Sequence, residues 1–174
     1  MSGGHVTQIR IGFIVCTGSS LIGVFNSSLP QKVLGTPGWG APESLFELEP
    51  PGLRKQDVYS FGLLVWAITL NGVKPWHMLT RVADNVIEVV NSTEPVESHS
   101  ELTYIEFDGL KATNHGDLLL KLAKETLEQC HPGDVDYSIV QHVLDQTLGN
   151  DLDQRAPDFG NIISMLRNCT SLPA

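Results

Sequence analysis

The longest apolar stretch of the chain runs from Val58 to Leu70, with only Ser60 and Thr69 as weakly polar interruptions. A segment apolar on nearly every face predicts a helix enclosed on all sides, the central element of a core. Asn71-Gly72 comes directly after it, and that pair suits the left-handed backbone that closes a helix. Asp57 stands immediately ahead, where its carboxylate is suited to cap the first turn, so the helix is expected over 57–70. Pro50, Pro51 and Gly52 make residues 44–56 read as a loop leading into it.

Weaker patterns flank this segment. Arg10 to Val15 alternates and is rich in isoleucine and valine, which predicts a short strand. Val82, Val86, Val89 and Val90 recur at helical spacing, which predicts a short amphipathic helix over Arg81 to Val90. From 91 to 116 the residues Glu94, Glu97, Glu101, Glu106 and Asp108, broken by Pro95 and Gly109, read as an acidic solvated loop or insertion. Leu102, Tyr104, Ile105 and Phe107 are available within it for a short strand. Three amphipathic helices should fill 117–168: Asp117 to Cys130 through Leu119, Leu122 and Ala123, Tyr137 to Leu148 through Val140, Val143 and Leu144, and Asp158 to Asn168 through Phe159, Ile162, Ile163 and Leu166. The predicted fold is therefore mainly α, with a short β element near the N-terminus.

Composition narrows the function. With 174 residues, 41% of them hydrophobic, the chain can bury the core of one domain. A net charge of −9 with no cluster of lysines or arginines argues against nucleic-acid binding. The apolar run from Phe61 to Leu70 is about half as long as a membrane helix needs, so no membrane span is expected. Cys16, Cys130 and Cys169 are too few and too far apart for a disulfide framework and read as free thiols of a reducing compartment. Ile11 to Val15, followed by Thr17, Gly18, Ser19 and Ser20, makes a poor signal peptide, so the expected location is cytoplasmic. The six histidines lack paired ligand spacing, and Asp134/Asp136 and Asp151/Asp153 do not continue into a calcium loop. No metal site is expected.

Three motifs then occur in order. Gly35-Thr-Pro-Gly-Trp-Gly-Ala-Pro-Glu43 precedes Asp57-Val-Tyr-Ser-Phe-Gly, and Leu148-Gly-Asn-Asp-Leu-Asp-Gln-Arg155-Ala-Pro lies far downstream. Together they resemble the eukaryotic protein kinases, in the half of that domain known as the large lobe. The resemblance implies an activation-segment-like region over 10–43, a buried central helix over 57–70, and C-terminal helices over 117–168, with the small lobe absent from these 174 residues. It implies that Gly35, Thr36, Pro37, Gly38 and Trp39 form a substrate-docking loop of the serine/threonine type, where the residues alone are equally compatible with a tight surface turn. It also implies an ion pair between Glu43 and Arg155, a pairing that a planar guanidinium suits through two parallel hydrogen bonds.

The same resemblance places Cys16, Thr17 and Gly18 where kinases carry Asp-Phe-Gly. Neither a thiol nor a hydroxyl replaces the carboxylate that holds magnesium, so this metal motif is degenerate. Read without the family, Cys16 is a small apolar residue at a strand end. Within the chain there is no His-Arg-Asp loop, no glycine-rich nucleotide loop and no strand lysine with its helix glutamate. No catalytic residue is therefore assigned, and neither ATP nor Mg2+, the cofactors of the parent family, is expected to bind. The expectation is a truncated kinase-like domain whose parent activity is ATP-dependent phosphorylation of protein serine and threonine, inactive as this isolated chain. Its alternatives are a pseudokinase-type scaffold that engages a protein partner, and an incomplete gene model of an active kinase.

Overall fold

A computed structural model describes residues 35–83, 86–89, 102–113, 117–131 and 137–170. The expected strand over 10–15 and the Cys16-Thr17-Gly18 motif lie outside the described residues. The described part is mainly helical. Five α-helices, α1 (Pro50–Thr69), α2 (Tyr104–Ala112), α3 (Leu118–Cys130), α4 (Tyr137–Thr147) and α5 (Phe159–Thr170), are joined by short 3-10 turns and one antiparallel ribbon, β1 (Leu79–Ala83) with β2 (Val86–Val89).

The central helix α1 starts earlier than its sequence suggests, and Asp57 does not cap it. Pro50 and Pro51 occupy its first two positions, with Glu49 as N-cap. Proline is at home there, because its fixed φ is already helical and the amide it lacks would have no partner. Asp57 consequently lies two turns inside the helix, exposed. The far end obeys the expected chemistry: Asn71 has φ 56° and Gly72 φ 85°. The Gly72 amide returns to the Ala67 carbonyl and the Asn71 amide to that of Ile68, at 2.9 and 3.1 Å. These two bonds close the last turn in the Schellman pattern.

The helix is not enclosed on all sides. Val58, Tyr59, Leu63, Trp66 and Leu70 are buried, whereas Leu64 and Ile68 are 36% and 41% exposed. On the buried side α4 comes so close that a Cβ on Gly62 would stand 2.3 Å from the Thr147 hydroxyl oxygen. The α3 helix is tied in by Trp66, whose indole N–H donates to Thr126 Oγ1 at 2.7 Å. That hydroxyl in turn donates to the Ala123 carbonyl at 2.8 Å, so both buried polar groups are satisfied. A smaller apolar cluster, Val58, Val143, Ala156 and Ile162, seats α5.

Two expectations between these helices are corrected. Residues 81–83 and 86–89 form strands and not a helix: β1 and β2 pair antiparallel, with Leu79 opposite Val89, Thr80 opposite Glu88 and Arg81 opposite Ile87. The four-residue recurrence of Val82, Val86 and Val90 fits a period of two as well as one of 3.6, and β-branched side chains tip the choice toward strand. The acidic 91–116 segment is not wholly a solvated loop, because 104–112 forms α2, and the suggested strand through Tyr104 and Phe107 is absent. Thr103 accepts from the Glu106 amide while the Glu106 carboxylate accepts from the Thr103 amide, a complete capping box. Phe107 and Lys111 on this helix are buried.

Candidate functional site

The loop Gly35–Gly40 and the 3-10 turn Pro42–Leu45 just after it are held by two buried cations. Thr36 turns the chain by accepting the Trp39 and Gly40 amides at 2.9 and 3.0 Å. Gly38 then adopts φ 80°, and a Cβ there would stand 2.8 Å from the Trp76 ring. Glycine is required on both counts, since L side chains rarely adopt that backbone and the ring leaves no room. Trp39 packs edge-on against Trp76 at 5.4 Å between centroids, and Trp76 meets Phe107 at 5.6 Å. The loop thus rests on an aromatic platform built from the Pro75–Met78 turn and α2.

Lys111 is the first cation. Its ammonium, on a side chain only 2% exposed, donates to the Gly38 and Gly40 carbonyls at 3.1 and 2.6 Å and pairs with Asp108 at 2.6 Å. Asp108 also accepts the Gly38 amide at 2.9 Å. Burial pulls the Lys111 pKa below its ordinary 10.5, and the hydrogen bond and charge of Asp108 oppose that pull. Gly40 therefore does not loosen the loop, as its lack of a side chain suggests. It is buried and its carbonyl is bonded.

Arg155 is the second cation, with a fully buried side chain. Its guanidinium grips Glu43 through two bonds of 2.5 and 3.0 Å. The remaining donors reach the Gly149, Asn150 and Lys55 carbonyls at 2.6, 3.3 and 3.4 Å. All five guanidinium donors are thereby used. The group also lies over the Tyr59 ring, 4.5 Å from its centroid. One side chain so joins the Pro42–Leu45 turn, α1 and the segment after α4.

Tyr59 itself is 1% exposed, and its hydroxyl has no hydrogen-bond partner among the described residues. Burial drives its pKa far above the ordinary 10.0, partly offset by the Arg155 charge. The Gln56 side-chain nitrogen, one turn earlier on α1, is likewise buried without a partner among the described residues.

Of the residues singled out in sequence, Gly35, Thr36, Pro37, Gly38, Trp39, Glu43 and Arg155 come together here, while Asp57 stands apart. Lys111 and Asp108 complete the site and carry no motif of their own, and Tyr59 of the Asp57-Val-Tyr-Ser-Phe-Gly run joins them. The Thr103-x-x-Glu106 pattern was the available signal for the first two, because it starts a helix that places Asp108 and Lys111 one turn apart. Among the described residues no group of three or more histidines, cysteines or carboxylates is arranged to hold a metal ion. No described helix is long and apolar enough to cross a membrane. What the arrangement does chemically is fix backbone: it neutralises two buried cations and holds a short loop against an aromatic floor. No family model, no curated protein and no solved structure matches the chain.

Proposed function

We propose that the described residues are the large-lobe part of a serine/threonine-kinase-like domain, and that the chain by itself serves as a protein-docking module that does not transfer phosphate. The observation that carries this reading is the bidentate Glu43–Arg155 pair, which joins Ala-Pro-Glu to the downstream arginine across 112 residues. It sits over Tyr59 of Asp57-Val-Tyr-Ser-Phe-Gly, so all three kinase-like motifs meet at one junction. The fixed Gly35–Trp39 loop beside it is the surface on which a protein substrate or partner would dock. Against catalysis stands the sequence: the aspartates and lysine that position and neutralise phosphate in kinases have no counterpart motif in these 174 residues.

A thermal-shift titration with ATP and Mg2+ tests the claim. A nucleotide site filled at a hundred times its Kd would add about 2.7 kcal/mol of stability. We expect no saturable rise in melting temperature, and a saturable rise refutes the proposal.

A further inference from the structure

A groove of about 550 Å3 opens between the Pro42–Leu45 turn, the C-terminal end of α2 and the Asn150–Asp153 segment. One wall is apolar and wet: Leu45 and Phe46, both groove residues, are 60% and 65% exposed. The facing wall carries Asp151 and Asp153, the latter with a side chain 94% exposed. The cations nearby do not offset them. Lys111 and Arg155 are turned inward and spent on the bonds described above, and Lys55 reaches Asp153 only in an ion pair of 3.3 Å. Such a pair at the surface contributes at most about 1 kcal/mol and exchanges readily. The last carbonyls of α2, at Ala112, add the negative end of the helix dipole to the same space. An acidic chain thus presents a groove that is apolar on one side and anionic on the other.

We propose that this groove docks a segment of another protein in which lysine or arginine alternates with large apolar residues. The apolar side chains cover Leu45 and Phe46, and the cations meet Asp151 and Asp153. A purely apolar segment would strip water from the carboxylates without compensation, and an acidic one would be repelled. The inference rests on the groove's own chemistry and not on the kinase-like reading.

Fluorescence anisotropy with the full chain and a labelled peptide of alternating arginine and leucine tests it. We expect saturable binding, weakened about tenfold by Phe46→Ser and by Asp151→Asn combined with Asp153→Asn. Binding should also weaken as salt is raised, and a matched peptide with glutamate in place of arginine should not bind. Circular dichroism melting checks that each variant is folded, and Leu45→Ser gives the apolar reading at a second position if Phe46→Ser is not. Absence of saturation, equal binding of the glutamate peptide, or affinity indifferent to the apolar and acidic changes overturns the proposal. Sedimentation that shows self-association lost with Phe46→Ser overturns it as well, by assigning the face to a second copy of the chain.

Discussion

Arg155 and Lys111 are both buried cations that hold the same stretch of backbone, yet they are held in different ways. The arginine meets a carboxylate squarely, spends every donor and stacks on Tyr59. The lysine, a point charge on a flexible stem, gathers two carbonyls and one partly exposed carboxylate, and burial lowers its pKa. Its own charge is the part of the arrangement that alkaline pH removes. One junction is a permanent weld between distant segments, and the other is a local fastening of one loop.

Breaking each cation in turn should separate the two roles. Arg155→Ala leaves Glu43, its side chain only 11% exposed, uncompensated, and should cost about 3–5 kcal/mol in urea denaturation, lowering the stability of the whole domain. Lys111→Met should cost less, about 1–3 kcal/mol, since it orphans two carbonyls and leaves Asp108 able to reach water. Its signature is local: hydrogen exchange should quicken at Gly38 and Gly40 while α3 and α4 stay protected. Equal acceleration everywhere would erase the distinction between weld and fastening.

Tyr59→Phe probes the floor beneath the arginine. The hydroxyl is buried without a partner among the described residues, so its removal should raise stability at neutral pH by about 1 kcal/mol. The folded-state pKa of Tyr59 is raised, so as pH climbs past 10 the unfolded chain loses this proton first and stability falls, by up to about 1.4 kcal/mol per pH unit. Tyr59→Phe should flatten that fall. Lys111 has the opposite sign. Its folded pKa is lowered, so just below 10.5 the native state sheds its proton first, and this group's contribution rises with pH. Melting temperatures across alkaline pH, in the wild type and both variants, resolve the two. The smallest effect belongs to the uncovered side of α1, where Leu64→Lys should change stability by no more than about 0.5 kcal/mol.

The helical elements were largely legible because α3 and α4 write their packing into one stripe each, and Asn71-Gly72 marks a helix end by backbone chemistry alone. The start of α1 was not, because Pro50-Pro51 breaks a helix that precedes it and opens one that begins with it, and the pair itself is the same in both cases. The valines from 82 to 90 were ambiguous, since their spacing satisfies both periods and only cross-strand pairing decides. At the site, the residues drawn together were those with motif neighbours. Lys111 was hidden because its burial depends on where α2 lands on Gly38, a tertiary fact with no periodic trace. Tyr59 was read as part of an apolar run and of the Asp57-Val-Tyr-Ser-Phe-Gly motif, but its place beneath a guanidinium depends on a residue almost a hundred positions away.

The separation of Glu43 from Arg155 also sets an order of events. Bringing together segments 112 residues apart costs about 4 kcal/mol of loop-closure entropy before any contact repays it. Closure of that junction therefore belongs late in folding, after the local helices have shortened the path between its ends. A chain still being synthesised cannot make the pair until Arg155 has left the ribosome, so Glu43 waits for the 112 residues that follow it before its charge is matched.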